Sequence, residues 1–113
     1  MIMIVDDNVP MRAMITRYIQ NIGACSEFCE CDNGLEAIEK FRKIRPDWVL
    51  MDVKMPKMDG LSATIAIRGQ FPDARIIIVS NFDDPELKAE AKRIGAAGYV
   101  LKERLFELRE LMQ

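Results

Sequence analysis

The sequence of 113 residues has no histidine, few cysteines and no long hydrophobic segment, and each shortage excludes a class of protein. Without histidine, a zinc site would need four cysteines, but Cys25, Cys29 and Cys31 supply neither that number nor a zinc-binding spacing. Because three is an odd number, a disulfide framework is also disfavoured. We expect these cysteines to pack as small apolar side chains, and a redox or metal role is the alternative.

Membrane and nucleic-acid binding are disfavoured in the same way. No apolar run approaches the roughly 20 residues of a membrane span, and the N-terminus lacks a signal-peptide pattern. The formal net charge of −2 gives no electrostatic footprint for nucleic acid, because lysines and arginines are mixed with acids. We therefore expect one cytoplasmic domain over residues 1–113 that binds neither a membrane nor, directly, nucleic acid.

Five apolar runs alternate with amphipathic segments, which predicts an α/β fold with a parallel sheet. The predicted strands cover residues 1–5, 26–31, 48–51, 75–79 and 98–101. Helical patterns cover residues 11–22, follow Asn33, Gly60 and Asp84, and end the chain over 104–112. Asn33 with Glu36 has the spacing of a capping box, and proline follows Asp84 at a first helical position. The alternation predicts a single doubly wound domain with right-handed crossovers.

Polar residues follow four of the predicted strands, at the sheet edge where doubly wound folds bind ligands. They are Asp6, Asp7, Asp52, Ser80 and Lys102. Each of them alone fits a solvated turn or a helix cap. Because all five reach the same edge of one sheet, we expect them to form a site.

The chemistry of this site follows from its charges. Three close carboxylates repel one another unless a cation holds them, and their hard oxygen atoms suit Mg²⁺. Lys102 adds a second positive charge, and the combination suits a phosphoryl group during transfer. Asp52 could then act as the nucleophile and form an acyl phosphate.

The chain resembles the receiver domain of two-component response regulators over essentially its whole length. The matching segments are IVDDN (4–8), NGLEAIEKF (33–41), PDWVLMDVKMPKMDG (46–60), IIIVSN (76–81) and GAAGYVLK (95–102). The resemblance implies a flavodoxin-like (βα)5 fold with strand order 2-1-3-4-5. It also implies a signalling switch that is activated by phosphorylation.

The resemblance assigns roles to the residues of the acidic site. Asp52 matches the phosphoacceptor, which takes its phosphoryl group from a sensor histidine kinase, a phosphotransfer protein or a small donor such as acetyl phosphate. Asp6 and Asp7 match the pair that holds Mg²⁺, together with Asp52 and the backbone carbonyl of Lys54. The kinase partner is expected near the start of the first helix.

The resemblance also implies a switching mechanism. Lys102 matches the lysine that pairs with the phosphoryl oxygens, Ser80 the switch hydroxyl and Tyr99 the switch aromatic. Their movement would remodel the face formed by the fourth helix, fifth strand and fifth helix, where an output domain, a partner protein or a second copy would bind. The domain would catalyse its own phosphorylation and dephosphorylation without being an enzyme for other substrates.

Departures from the commonest receiver pattern leave alternatives open. Asn81 and Glu103 depart from it, and the segments that contain them, SNFDDPE (80–86) and YVLKE (99–103), resemble those of receivers joined to helix-turn-helix output domains. The chain is therefore expected to be either a stand-alone receiver or the receiver part of a transcriptional regulator. Lys54 and Phe82 flank the site, where we expect them to alter the dephosphorylation rate. A phosphorylation-independent interaction module is the alternative function. A small-molecule phosphatase is disfavoured because Lys54 stands where such an enzyme needs an acid.

Overall fold

The computed structural model describes residues 1–25 and 27–113, so the predicted strand over residues 26–31 starts at a residue outside the described ranges. The strands within those ranges are β1 (Ile2–Val5), β2 (Phe28–Cys31), β3 (Trp48–Met51), β4 (Ile76–Ser80) and β5 (Gly98–Leu101). All their pairings are parallel, and they form one sheet in the order β2-β1-β3-β4-β5. The predicted doubly wound, flavodoxin-like topology is confirmed.

Helices cover both faces of this sheet. They are α1 (Val9–Asn21), α2 (Gly34–Ile44), α3 (Gly60–Gln70) and α4 (Pro85–Arg93). The side chains of Asn8, Asn33, Asp59 and Asp84 cap them by accepting hydrogen bonds from backbone N–H groups of the first turn. The predicted caps of α2 and α4 are thus confirmed. The predicted capping box is half formed, because the Glu36 carboxylate pairs with Lys40 at 3.1 Å.

The buried core has two parts, one on each side of the sheet. Successive strand residues point to opposite faces. Met3, Val5, Val49 and Met51 belong to one cluster, whereas Ile2, Ile4 and Leu50 belong to the other. Strands buried on both faces need apolar residues at every position, which explains the continuous apolar runs in the sequence. Among the described residues, no helix has the length and apolar character to cross a bilayer.

The C-terminal segment differs from the prediction of one helix over residues 104–112. Lys102–Glu107 form a 3-10 segment, and α5 (Leu108–Leu111) follows it. Arg104 has non-helical dihedral angles, with φ of −128° and ψ of 44°. Leu105 and Leu108 are both buried, and their three-residue spacing fits the 3.0 residues per turn of a 3-10 helix as well as it fits an α-helix.

The cysteines carry free thiols, and their burial differs. Cys31 is buried in the core, whereas Cys25 and Cys29 are partly exposed. Burial raises the pKa of the Cys31 thiol to about 12, and the neighbouring Cys29 acts in the same direction. Cys31 therefore stays protonated and packs as a small apolar side chain, as predicted.

Candidate functional site

The three predicted carboxylates meet at the carboxyl edge of the sheet. β1 and β3 pair side by side, with Val5 opposite Met51, so Asp6 and Asp52 leave the sheet as neighbours. One carboxylate oxygen of each of Asp6, Asp7 and Asp52 lies within 4.8 Å of the others. Asp6 and Asp52 are 1% and 7% exposed, whereas Asp7 is exposed to solvent. The sequence placed these residues together but could not rank their burial.

The backbone around Asp52 is fixed on both sides. Its N–H donates to the carbonyl oxygen of Val5 at 2.8 Å, and its Oδ1 accepts from the N–H of Val53 at 2.9 Å. The start of α3 packs directly on this turn, because the N–H of Gly60 donates to the carbonyl oxygen of Val53 at 2.7 Å. A Cβ atom at Gly60 would lie 1.7 Å from the carbonyl oxygen of Asp52. A glycine is therefore required at this position.

Asp6 is held by its main chain and by its side chain. Its N–H donates to the carbonyl oxygen of Cys31 at 3.0 Å, and its Oδ1 accepts from the N–H of Asn8 at 2.8 Å. Its Oδ2 is buried and lies 2.8 Å from Nζ of Lys102, but it accepts no well-aligned hydrogen bond from the residues that the structure describes. A buried carboxylate oxygen in this condition is a favourable ligand for a cation. The oxygen-only donor set fits Mg²⁺.

Lys102 joins the two buried carboxylates. Its ammonium lies 2.8 Å from Oδ2 of Asp6 and 3.3 Å from Oδ1 of Asp52. Burial acts to lower the pKa of Lys102, but the close contact of its ammonium with the Asp6 carboxylate and the charges of both carboxylates outweigh burial and leave the pKa raised. The ammonium therefore remains charged at neutral pH.

The surroundings favour the charged form of Lys102 but the neutral form of Asp52. Burial, and then the charge of Asp6, raise its pKa from 3.8 to about 6, although Lys102 and the N–H of Val53 act against this rise. The site thus contains more negative charge than its own lysine balances. An added cation would favour the ionised form of Asp52 that a nucleophile needs.

The predicted switch residues meet at Phe82. Ser80 is the last residue of β4 and is buried, and its Oγ accepts from the N–H of Phe82 at 3.0 Å. The hydroxyl of Tyr99 donates to the carbonyl oxygen of Phe82 at 2.7 Å. On the other side, Nζ of Lys54 lies 4.6 Å from the centroid of the Phe82 ring. One loop residue therefore connects both predicted switch residues with Lys54.

These groups line an open cleft of about 320 Å³. Its walls include the three carboxylates, Lys54, Phe82 and Lys102, with Asn8, Met11 and Asn81 completing them. Sequence reasoning assigned no site role to Asn8, although its place directly after the acid pair was a usable signal. A second cleft, of about 370 Å³, lies between α4 and β5 and is lined by Lys88, Lys92 and Tyr99 among others, away from the carboxylates.

Known proteins share both this sequence pattern and this fold. The response regulator receiver domain family matches residues 2–113. The chemotaxis protein CheY of Listeria monocytogenes is 38% identical over 104 residues, which cover 89% of this chain and 84% of that protein. The response regulator GacA of Pseudomonas viridiflava is 36% identical over 101 residues, covering 89% of this chain. The matched region is 47% of that GacA, so the chain spans about half the length of this relative.

Solved structures give the same result. The receiver domain of the response regulator NarL from Mycobacterium tuberculosis superposes with a TM-score of 0.88 at 28% identity, covering 98% of this chain and 94% of that one. CheY in the CheX-CheY-BeF3-Mg²⁺ complex from Borrelia burgdorferi also gives a TM-score of 0.88, at 26% identity, covering 97% of this chain and 84% of that one. With the carboxylates and the lysine at the expected edge of the sheet, the chain belongs to the response regulator receiver domain family.

Proposed function

We propose that this domain is the phosphorylation-activated switch of a two-component system and that Asp52 accepts the phosphoryl group. The observation that carries the proposal is the position of Lys102, which lines the cleft and whose ammonium contacts both Asp6 and Asp52. Asp52 follows a strand that is paired on both sides, so the nucleophile has a rigid mount. The donor would be a sensor histidine kinase, a phosphotransfer protein or acetyl phosphate.

The transfer is an in-line displacement at phosphorus. A carboxylate oxygen of Asp52 forms the new P–O bond while the bond from phosphorus to the donor's imidazole nitrogen or acetate oxygen breaks, and the leaving group keeps the electron pair. Lys102 stabilises the charge on the phosphoryl oxygens. Asp6, Asp7, Asp52 and the backbone carbonyl of Lys54 would hold Mg²⁺, which supplies further positive charge when bound. In dephosphorylation the oxygen of a water molecule bonds to phosphorus while the bond from phosphorus to the Asp52 oxygen breaks, which releases inorganic phosphate and restores the carboxylate. We expect the domain to promote both steps on itself.

The switch itself depends on the contacts of Phe82. An acyl phosphate on Asp52 offers new acceptors to the Ser80 hydroxyl, which now accepts from the N–H of Phe82. Movement of Ser80 disturbs the loop whose carbonyl oxygen holds the Tyr99 hydroxyl. The population then shifts between two packings of the face formed by α4, β5 and α5.

The signal passes on through this same face. The cleft between α4 and β5, with Lys88, Lys92 and Tyr99 in its walls, supports a partner protein, an output domain or a second copy as the occupant. GacA, a longer response regulator, supports the output domain, and the CheY of the CheX complex supports a separate partner. A cytoplasmic location is typical of the family and is part of the proposal.

Two residues that line the cleft, Lys54 and Phe82, would influence how long the phosphorylated state lasts. The Phe82 ring, with Lys54 against it, lines the same cleft as Asp52, and we propose that it limits the access of water to the acyl phosphate. We expect Phe82→Glu to change the rate of dephosphorylation, because it replaces an apolar cover by an acid that can orient water. A variant that loses its phosphoryl group at the parental rate would contradict this role.

The test is phosphorylation by acetyl phosphate with Mg²⁺, followed by intact-mass measurement. The parent should gain the mass of one phosphoryl group, and Asp52→Asn should not. Asp73→Asn, which changes an exposed carboxylate elsewhere, is the matched control and should gain the same mass as the parent. A parent without any mass gain would reject the proposal and favour a phosphorylation-independent interaction module. Size-exclusion chromatography with and without beryllofluoride then shows whether activation produces a dimer.

A further inference from the structure

The Arg12 guanidinium joins the backbone of Asp6, after β1, to the side chain of Glu30 on β2. Its Nη1 donates to the backbone carbonyl oxygen of Asp6 at 2.5 Å, and its Nε donates to Oε1 of Glu30 on β2 at 2.8 Å. The Arg12 side chain is 14% exposed, which is low for an arginine, whereas the Glu30 side chain is 52% exposed. This arginine therefore forms part of the structure around the site rather than of the solvated surface.

The position of Arg12 on α1 explains why it reaches this carbonyl. Helical side chains tilt toward the N-terminus of their helix. Arg12 lies in the first complete turn, since its own N–H donates to the carbonyl oxygen of Asn8 at 3.1 Å. A side chain from this turn points back over the β1–α1 loop. The planar fork of a guanidinium then serves two acceptors at once, which a lysine ammonium on a flexible stem does less well.

The contact controls the direction in which the chain leaves Asp6. The carbonyl oxygen of Asp6 belongs to the peptide unit that carries Asp7, so a fixed carbonyl fixes the start of Asp7 as well. The other side of Asp6 is held by the bond from the N–H of Asn8 to Oδ1. Together the two contacts fix the Asp6 carboxylate and the backbone from which the Asp7 side chain departs.

We propose that Arg12 is a positioning residue for the cation site, acting through the backbone carbonyl of Asp6, and that Glu30 holds the guanidinium in place. The inference rests on the proposed function, which assigns the cation to Asp6, Asp7 and Asp52. Glu30 also balances the charge of Arg12, so the guanidinium orients the loop without adding an unpaired positive charge near the cation.

Calorimetric titration of the metal-free protein with Mg²⁺ tests this role. Arg12→Met should weaken Mg²⁺ binding about tenfold, the lower end of the effect of removing a group that orients metal ligands. Arg17→Met removes an exposed arginine from the same helix and should bind Mg²⁺ like the parent. Arg12→Lys keeps the charge but has a single donor nitrogen in place of the guanidinium fork, so it should restore part of the affinity. At saturating Mg²⁺, Arg12→Met should regain most of the parental phosphorylation rate.

Glu30→Gln provides a second, milder perturbation. It keeps an acceptor for Arg12 but removes the charge, so it should weaken Mg²⁺ binding less than Arg12→Met. If both residues act through one contact, the double variant should bind Mg²⁺ no more weakly than Arg12→Met alone. Circular dichroism of each variant checks that it is folded. If Arg12→Met does not fold, the two single variants Arg12→Lys and Glu30→Gln are compared with the parent instead, and each should bind Mg²⁺ more weakly.

The outcomes separate this inference from the proposed function. If the parent neither binds Mg²⁺ nor becomes phosphorylated, the proposed function fails. If the parent does both and Arg12→Met binds Mg²⁺ with the parental affinity, Arg12 has a purely structural role and the inference is overturned. A lower melting temperature without a change in Mg²⁺ affinity would count as that second result.

Discussion

Replacing Asp52 by asparagine should stabilise the metal-free protein at pH 8, although it removes a partner of Lys102. Burial and the charge of Asp6 raise the pKa of Asp52 in the fold to about 6, from the ordinary 3.8. The folded state thus binds this proton more tightly than the unfolded state does, and ionisation of Asp52 disfavours folding. This cost is absent below about pH 4, grows between about pH 4 and 6, and is constant above that range.

The magnitude follows from the two pKa values. They differ by about two pH units, and since one unit corresponds to about 1.4 kcal/mol, the cost at pH 8 is about 3 kcal/mol. Asparagine is neutral at every pH and avoids this cost. For a domain of this size about 3 kcal/mol corresponds to a rise of roughly 10 °C in the melting temperature.

Thermal and urea unfolding, followed by circular dichroism in the presence of a chelator, measure the effect. The advantage of Asp52→Asn over the parent should be full at pH 8, smaller near pH 6 and absent at pH 4. Asp73→Asn, at an exposed position, should show no comparable gain. Added Mg²⁺ should stabilise the parent more than the variant and so reduce the difference. An Asp52→Asn variant that is no more stable than the parent at pH 8 would refute the electrostatic reasoning.

Three further predictions concern the frame of the site. Gly60→Ala should lower the free energy of unfolding, measured with urea, by about 3 kcal/mol because the new Cβ would clash with the carbonyl oxygen of Asp52. An unchanged urea midpoint would show that the turn can move to accommodate the methyl group. Asp84→Ala should cost about 1 kcal/mol through loss of the α4 cap, again by urea unfolding; no loss would mean that the cap adds nothing. Tyr99→Phe removes the hydrogen bond to the carbonyl oxygen of Phe82 and should lower NMR order parameters in residues 81–84; unchanged values would contradict the contact.

The fold could be predicted from the sequence because its strong local signals agree with one another. Strands buried on both faces require continuous apolar runs, and Asn33 and Asp84 mark helix starts by a side-chain hydrogen bond that depends only on nearby residues. The end of the chain was predicted incorrectly for a related reason. Leucines at 105, 108 and 111 fit either helix type by their spacing and pack in the same core cluster, so this spacing gives no sign of the non-helical backbone at Arg104.

The site could be predicted only in part. The meeting of Asp6, Asp52 and Lys102 follows from parallel strands, because their carboxyl ends share one edge. Contacts that depend on how helices and loops pack in three dimensions leave no comparable pattern in the sequence. The bond from Arg12 to the Asp6 carbonyl joins residues whose contact depends on the turn between β1 and α1, and the need for Gly60 arises from where α3 docks.

Because of the strand order, the free energy needed for local opening differs between the middle of the sheet and its ends. β1 and β3, which lead to Asp6 and Asp52, are each paired on both sides, whereas β5, which carries Tyr99 and leads to Lys102, lies at the end of the sheet. Separating β5 breaks hydrogen bonds to β4 alone, so transient opening there requires less free energy than in the middle. Amide protons of β3 should therefore exchange much more slowly than those of β5. The protein can therefore rearrange its outer edge while Asp52, the proposed phosphoacceptor, stays in place.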